Sequence, residues 1–218
     1  MRSSVLVTVP NEHWVHAHVA QRLLMLQADR RYALTFDFPA QRPYENNQHH
    51  IVQKFWNGPW DAWLSIDADN PPTQNPLDLV DLDLDLVGLP TPIWHWTGLP
   101  GERPLYWNGY DYDASTDAYR EHVPREGLQR VDAIGTGCFL VARRVFNPPE
   151  MRAGAFLRTL YPDGTVNKGN DLSFCERVRR AGFAIWCHYD YPCRHYQEID
   201  LHDVALALKG LIEPANAR

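Results

Sequence analysis

The sequence predicts a single α/β domain with a central, mostly parallel sheet flanked by helices. Apolar, strand-like runs alternate with helix-like runs up to about residue 96, a pattern typical of parallel strands joined by right-handed crossovers. The chain has 218 residues, which fits one such domain. A hydrophobic fraction of 44% is enough to form its core.

The first half contains three short apolar runs that predict strands and two runs with helical spacing of apolar residues. In chain order these are strand 5–9, helix 13–26, strand 32–38, helix 46–55 and strand 62–66. A short helix begins at Asn75-Pro76, because an Asn cap followed by proline is a typical helix start. Residues 85–96 are again expected to be extended.

The second half changes character at residue 97. Residues 97–128 are rich in Pro, Gly, Tyr and charge, and 106–112 predict a hairpin or a flap. A core strand region then follows, interrupted by two glycines, before the chain ends in alternating helices and a strand. These elements are the core region 131–142, a short helix 143–146 stopped by Pro148-Pro149, helix 171–181, strand 183–187 and helix 204–211.

Composition excludes several classes of protein. No apolar run is long enough to span a membrane, and the N-terminal apolar stretch is too short for a signal peptide. Four cysteines, Cys138, Cys175, Cys187 and Cys193, do not form a disulfide framework and favour a reducing cytoplasm. A net charge of −6 argues against generic nucleic-acid binding, although not against a local basic groove.

The stretch with the clearest chemical content is 63–72. Asp67 and Asp69 directly follow an apolar strand, and Asn-Pro-Pro then prevents the strand from continuing. Ligands of open α/β sheets bind at the carboxyl ends of strands, and Mg²⁺ is usually held by one or two carboxylates plus substrate phosphates. The pattern predicts a divalent cation that holds a diphosphate. The alternative is a solvated turn, since 78–86 repeats the Asp-x-Asp spacing.

Two further motifs have both a structural and a chemical interpretation. Gly135 and Gly137 flank Thr136 inside an apolar run, which indicates either a bulge for packing or a floor that lets substrate approach the main chain. Asp171 opens a helix, where it favours the helix dipole, and it follows a polar loop. A carboxylate in that place is also suited to act as a general base.

The segment 187–195 is dense in residues of the metal-ligand type. One hypothesis is a structural zinc site built from Cys187, Cys193, His195 and His202. A second makes His195 a single ligand that completes the aspartate site, and a third is an ordinary hydrogen-bonded histidine. His13, His16 and His18 are expected on a helix surface and are assigned no site.

Taken in order, these motifs resemble the GT-A glycosyltransferases, particularly the family 2-like group. The likeness covers roughly residues 4–200 and rests on several motifs in the family's order. They are the first strand and its turn at 5–11, the Asp-x-Asp strand 64–69, the Gly-x-Gly strand 132–143, the helix 170–183 that begins Asn-Asp, and Cys193-Arg-His195. The resemblance implies a GT-A (Rossmann-like) fold, with residues 1–96 as the nucleotide-sugar half and 97–218 as the acceptor half of one continuous domain.

The resemblance also implies a UDP- or GDP-sugar donor, a Mn²⁺ or Mg²⁺ cofactor and residue roles. On this basis Asp67, Asp69 and His195 are metal ligands, with Asp67 also near the ribose, and Asp171 is the base of an inverting transfer. The residues expected to border the nucleotide are Pro10, Asn11, Glu12, Asn46 and Asn47. The residues expected on the acceptor side are Trp94, Trp96, Gly135, Thr136, Gly137 and Asn170.

Several alternatives stay open at this point. Asn170 stands where the family usually has Glu, which leaves a retaining mechanism possible. The acceptor hydroxyl can belong to a glycan, a protein, a lipid or a modified nucleic-acid base, in a bacterium or a bacteriophage. The competing functions are a sugar nucleotidyltransferase, which the turn at 9–12 disfavours because it lacks Gly and Lys, and a non-catalytic module. Such a module is carbohydrate-binding, through Trp94, Trp96, Tyr106 and Trp107, or zinc-stabilised.

Overall fold

The computed structural model describes residues 2–11, 13–95 and 103–212. The strands are β1 Ser4–Thr8, β2 Ala33–Asp37, β3 Ala62–Ile66, β4 Leu86–Gly88, β5 Pro92–Trp94, β6 Leu105–Trp107, β7 Gly109–Asp113, β8 Ala118–Glu121, β9 Leu128–Val131, β10 Ala133–Ile134, β11 Cys138–Ala142, β12 Thr159–Leu160, β13 Val166–Lys168 and β14 Ile185–His188. The helices are α1 Ala17–Gln27, α2 Tyr44–Asn57, α3 Pro149–Ala153, α4 Asn170–Arg180 and α5 Leu201–Ile212. Short 3-10 helices lie at Pro76–Leu82 and Arg143–Phe146.

A seven-stranded sheet in the order β2-β1-β3-β11-β4-β14-β9 forms the centre of the molecule. Strands β1, β2, β3, β4 and β14 run in one direction, and β9 and β11 run in the opposite direction. The predicted α/β class, with a mixed, mostly parallel sheet flanked by helices, is confirmed. Because β11 inserts between β3 and β4, strands from both halves of the chain share one sheet.

Both faces of the sheet are covered by apolar clusters. One cluster packs α2 and α4 against the sheet through large side chains such as Phe55, Phe139 and Phe174. The other packs α1 against the opposite face through Val19, Leu23 and Leu26. All five residues of β3 are buried, so the strand that precedes the two aspartates lies fully inside the framework.

The start of α1 differs from the prediction. The helix begins at Ala17 rather than at residue 13, because the preceding segment is extended and attached elsewhere. His13 has a φ of 78°, and the His16 N–H donates to the Ala68 carbonyl at 2.8 Å. The His16 side chain caps the helix by accepting from the His18 N–H. Val15 still packs on the core, which explains why its spacing suggested a longer helix.

Two other predictions need correction. Residues 106–112 do not form one hairpin, because β6 pairs with β5 while β7 pairs with β8 and β10. The Pro148-Pro149 pair does end the short helix before it, but Pro149 also begins α3, a position that suits proline. Within the described residues, no helix combines the length and the apolar character needed to cross a bilayer.

Arg143 joins the end of α2 to the central sheet. Its guanidinium donates to the Phe55, Trp56, Gly58 and Trp60 carbonyls at 3.1, 2.5, 2.9 and 2.9 Å. These carbonyls lie at the end of α2 and in the turn before β3, where the helix leaves its last carbonyl groups without internal partners. One side chain therefore holds the turn between α2 and β3.

We predict that Arg143→Met lowers the free energy of unfolding by about 2–4 kcal/mol, because charge-assisted hydrogen bonds to half-buried carbonyls are lost. Urea unfolding followed by circular dichroism measures this change. Arg180→Met is the control, since Arg180 is exposed and pairs only with Glu176 one turn away. The control is expected to change stability by about 0.5 kcal/mol or less. Equal losses in the two variants would contradict the role given to Arg143.

Candidate active site

The backbone of Asp67, Ala68 and Asp69 is held by three separate parts of the chain. The Asp67 N–H donates to the Gly137 carbonyl just before β11, at 2.8 Å. The Ala68 carbonyl accepts from the His16 N–H at 2.8 Å, and the Asp69 carbonyl accepts from the Tyr196 N–H at 3.1 Å. Both carboxylates are therefore fixed where β3 ends, at the sheet edge that binds ligands in open α/β folds.

A short antiparallel ladder places His195 beside Asp69. The N–H groups of Arg194 and Thr73 donate to the carbonyls of Pro71 and Pro192, each at 3.0 Å. His195 Nε2 consequently lies 3.8 Å from Asp69 Oδ2. His195 Nδ1 lies 2.9 Å from the Pro92 carbonyl, which can only accept, so Nδ1 carries a proton and Nε2 is the ring nitrogen that faces Asp69.

The carboxyl of Asp67 lies in an electrostatically unfavourable environment. Its Oδ1 is buried and has no hydrogen-bond partner among the described residues. Burial raises its pKa well above the usual value of 3.8, and the negative charges of Asp69 and Asp171 raise it further. A buried acceptor that lacks a donor and repels two nearby carboxylates is a place where a cation would be stabilised.

The donor set at this edge suits a hard divalent cation. Two ligand atoms that share an ion at about 2.0–2.2 Å lie about 3–4 Å apart, which accommodates the separation of Asp69 Oδ2 and His195 Nε2. No three His, Cys, Asp or Glu side chains within the described ranges converge closely enough to hold a metal by themselves. That excludes the Cys187, Cys193, His195 and His202 zinc site there, whereas Mg²⁺ commonly completes its coordination with water and phosphate.

A cleft of about 310 Å³ opens beside the two aspartates. Its lining includes five residues that were predicted to contact the nucleotide or the metal, namely Pro10, Asn11, Asn47, Asp67 and Asp69. The Asn47 amide donates to the Pro39 carbonyl at 3.0 Å, while its buried Oδ1 has no partner among the described residues. Two residues that line the cleft, Asn47 and Asp67, therefore each have a buried oxygen that lacks a hydrogen-bond donor.

Not every predicted nucleotide residue reaches this cleft. Asn46 is exposed on the neighbouring face of α2, bonds to the Arg42 carbonyl and lines a different cavity. Glu12 lies outside the described residues. Conversely, sequence reasoning missed Trp14, Gln41 and Tyr44, which complete the lining. Trp14 is 54% exposed although it is a large apolar side chain, and its position after a Pro-Asn turn was the available signal.

A second cleft, of about 540 Å³, contains Asp171. Tyr106, Tyr110 and Tyr119 form its aromatic walls, with Leu172 beside the carboxylate. Arg103 also lines this cleft and is paired with Glu121, so that its charge is compensated. The cleft thus combines aromatic faces, phenol hydroxyls and a carboxylate, which suits a polar ligand with apolar faces.

Asp171 has the environment expected of a base. Its Oδ1 accepts from the Leu172 N–H at 2.7 Å in the first turn of α4, where a negative charge favours the helix dipole. Burial raises its pKa, and the backbone hydrogen bonds only partly oppose this shift. A carboxylate with a raised pKa binds a proton more readily near neutral pH.

Tyr44 lies close to both Asp67 and Asp171. Its hydroxyl accepts from Gln48 Nε2 at 2.6 Å and hydrogen-bonds to Thr136. Burial raises the pKa of Tyr44 far above its usual value, followed by the negative charges of Asp67 and Asp171, so the phenol stays neutral. Since both carboxylates act on one hydroxyl, and Asp171 also acts on Asp67, the two clefts are near each other, and Tyr44 lines the one that contains Asp67.

The predicted acceptor residues are divided among several roles. A Cβ on Gly135 would lie 2.2 Å from Asn108 Nδ2, and one on Gly137 would lie 2.8 Å from Asn70 Oδ1, so close packing explains both glycines. The Asn170 Oδ1 accepts a hydrogen bond from the Asp171 N–H. Trp94 lies on the β5–β6 ribbon, outside the lining of the Asp171 cleft in the described part of the chain. Trp96 lies outside the described residues.

Comparison with known proteins identifies the fold. No protein-family model matches the chain, and no curated protein matches it significantly. The structure is similar to A197 from STIV, with a TM-score of 0.59, 15% identity, and coverage of 91% of this chain and 87% of that one. It is also similar to GalNAc-T7 with UDP, GalNAc and Mn²⁺, with a TM-score of 0.52, 10% identity and 91% coverage. This chain spans 44% of the GalNAc-T7 chain. The protein has a GT-A-like fold.

We predict that Asp67→Asn raises the free energy of unfolding in metal-free buffer at pH 7.5 by about 1–3 kcal/mol, because it removes a buried, unpartnered charge. The pKa of the Asp67 carboxyl is raised in the folded state. Its contribution to the free energy of unfolding is therefore fully present below the usual pKa and is lost as the pH rises through the raised pKa. The gain should therefore shrink toward pH 4, as urea unfolding at several pH values would show.

The control for this pH series is Asp163→Asn. Asp163 lies in an exposed turn, where hydrogen bonds from Thr165 lower the pKa of its carboxyl. This variant should gain no stability at pH 7.5. A gain in Asp67→Asn that is constant from pH 4 to pH 7.5 would show that the charge of Asp67 is not the cause.

Proposed function

We propose that the protein is a metal-dependent glycosyltransferase that moves one sugar from a nucleotide-diphosphate sugar to an acceptor hydroxyl. The observation that carries the proposal is the pair of neighbouring clefts, one at Asp67 and Asp69 and the other at Asp171. One cleft has a cation-binding edge at Asp69 and His195, and the other has a base at Asp171. A transferase that joins two substrates needs two such adjacent sites, and a GT-A-like fold is consistent with this activity.

The donor is proposed to lie in the cleft lined by Trp14 and Asn47. The exposed indole of Trp14 offers a flat face on which a nucleobase can stack. Asn47 lines the same cleft, and its unpartnered Oδ1 is buried, so it would accept from a base N–H or a ribose hydroxyl only after the side chain turns toward the ligand. These groups lie on the same cleft as Asp67 and Asp69, which leaves the diphosphate of a UDP- or GDP-sugar at the carboxylate edge.

Asp69 and His195 are proposed to hold Mn²⁺ or Mg²⁺, with Asp67 beside them. A divalent ion bound there would neutralise charge on the departing nucleoside diphosphate. His195 keeps its Nε2 toward Asp69 because the Pro92 carbonyl fixes the opposite nitrogen. A cation bound beside Asp67 would lower the raised pKa of this carboxyl. Ionisation of Asp67 would therefore be coupled to cation binding.

Asp171 is proposed to take the proton of the acceptor hydroxyl. In a single displacement, the acceptor oxygen forms a bond to the anomeric carbon as the bond from that carbon to the diphosphate oxygen breaks. The proton moves to Asp171, and the configuration at the anomeric carbon inverts. The cleft beside Tyr106, Tyr110 and Asp171 has room for the acceptor, and the neutral Tyr44 adds no charge near the base.

We expect Mn²⁺ together with UDP or GDP to raise the melting temperature of the protein, because the nucleotide binds through the cation. Neither nucleotide should raise it in EDTA. Asp69→Ala should abolish the shift, since it removes one of the groups facing His195. Differential scanning fluorimetry with each nucleotide measures this. A shift that persists in EDTA and in the variant would refute the site.

The matched control for Asp69→Ala is Asp83→Ala. Asp83 belongs to the other Asp-x-Asp stretch, is 86% exposed on its side chain and pairs with Arg144. Each variant is compared with its own unliganded form, which removes any effect of the substitution on basal stability. The Asp83 variant should keep the full metal-dependent shift.

We further expect Asp171→Asn to bind nucleotide as the unmodified protein does but to lose transfer by about 100-fold or more, because general-base catalysis is removed. Transfer is measured as release of nucleoside diphosphate in the presence of acceptor, and binding as the Mn²⁺-dependent thermal shift. Asp163→Asn, outside both clefts, should keep both properties. Undiminished transfer in the Asp171 variant would remove it as the base.

A further inference from the structure

A third cleft, of about 260 Å³, lies beside the ladder that holds His195. Its floor is the rigid segment Pro71–Pro72–Thr73, and its walls come from α1 and from Arg194. It shares no described lining residue with the cleft at Asp67 and Asp69 or with the cleft at Asp171. The proposed glycosyl transfer gives this third cleft no role.

Two arginines line this cleft, and both are attached to the same short segment. The Arg22 guanidinium donates from Nη2 to the Thr73 carbonyl at 2.9 Å. The backbone N–H of Arg194 donates to the Pro71 carbonyl at 3.0 Å, and the Arg194 guanidinium donates from Nη1 to the Tyr196 hydroxyl at 3.4 Å. Each guanidinium has five donors and uses one of them in these bonds, so several N–H groups remain available on both arginines.

The positive charge of this cleft is not compensated by the protein. Neither Arg22 nor Arg194 forms an ion pair with any carboxylate in the described part of the chain. No Asp or Glu is among the described lining residues, and His18 adds a third nitrogen donor at the rim. Other arginines of this chain, such as Arg31, Arg144 and Arg180, do pair with nearby carboxylates.

We propose that Arg22, Arg194 and His18 form a binding site for a phosphoryl group, separate from the nucleotide cleft. Guanidinium groups bind phosphate oxygens through paired, charge-assisted hydrogen bonds, and two arginines held on one rigid floor are arranged for that ligand. The chemistry is that of a phosphate monoester dianion, either on a soluble molecule or on a lipid headgroup. The proposal does not depend on glycosyl transfer.

The test is titration of the whole protein with inorganic phosphate, followed by isothermal calorimetry in a phosphate-free, metal-free buffer. Arg22→Gln and Arg194→Gln should each weaken binding about tenfold or more, because each removes charged donors from the ligand. Arg22→Lys keeps the charge and should bind more tightly than Arg22→Gln, which separates charge from any effect of the lost Thr73 contact on folding. Thermal melting of each variant verifies that it is folded.

Two control variants locate the bound phosphate. Arg180→Gln removes an exposed arginine that pairs with Glu176, and it should bind as the unmodified protein does. Asp69→Ala disables the proposed cation site and should also leave phosphate binding intact. The proposal is overturned if the unmodified protein binds no phosphate, if both arginine variants bind normally, or if binding is lost in Asp69→Ala instead.

A second arm identifies the source of the phosphoryl group. Vesicles of phosphatidylcholine with and without phosphatidate are sedimented with the protein. Sedimentation with phosphatidate alone, reversed by inorganic phosphate and absent in Arg194→Gln, assigns the site to a lipid headgroup. Phosphate binding without sedimentation assigns it to a soluble phosphate ester. Sedimentation that both arginine variants retain overturns the assignment of vesicle binding to this cleft.

Discussion

The hydrogen bonds that hold the backbone of Asp67–Ala68–Asp69 are the constraint on which the rest of the site depends. A strand that leaves the sheet normally becomes a mobile loop, yet this tripeptide is attached on three sides, to Gly137, His16 and Tyr196. Two like charges are thereby kept close together in a place where burial opposes ionisation. The framework tolerates this because α1, β11 and the segment after β14 all converge on the same edge.

The elements that could be predicted from the sequence are those with local signals. β3 and the carboxylates after it follow from five apolar or small residues and an Asn-Pro-Pro stop, and α4 follows from its apolar stripe and first-turn Asp171. The start of α1 could not be predicted in this way. It is set by a hydrogen bond between His16 and Ala68, which are distant in the sequence.

The same distinction explains which site residues were missed. Tyr44 and Asn47 face the cleft whereas Asn46 does not, and this depends on the rotation of α2 about its axis. Periodicity alone does not show which flank of a helix meets a cleft at the end of a sheet. The pairing of β6 with β5 likewise depends on long-range contacts, so Tyr106 was placed in a hairpin that does not form. His195 was predicted both from the metal-ligand residues of 187–195 and from the family resemblance, and the ladder between 69–73 and 192–196 is what places it beside Asp69.

That ladder joins an early part of the chain to a late one, and this has a consequence for dynamics. Residues 192–196 lie outside the seven-stranded sheet, but Cys193 is buried in one of the apolar clusters and its N–H donates to the Pro90 carbonyl at 2.8 Å, so detachment of this segment also withdraws Cys193 from that cluster. Detachment would remove His195 and Arg194 together and leave the carboxylates in place. A ligand that contacts both sides of the ladder would bind only while residues 192–196 are attached, and would therefore oppose their detachment. Amide exchange would then slow far more in residues 192–196 than in the buried strands.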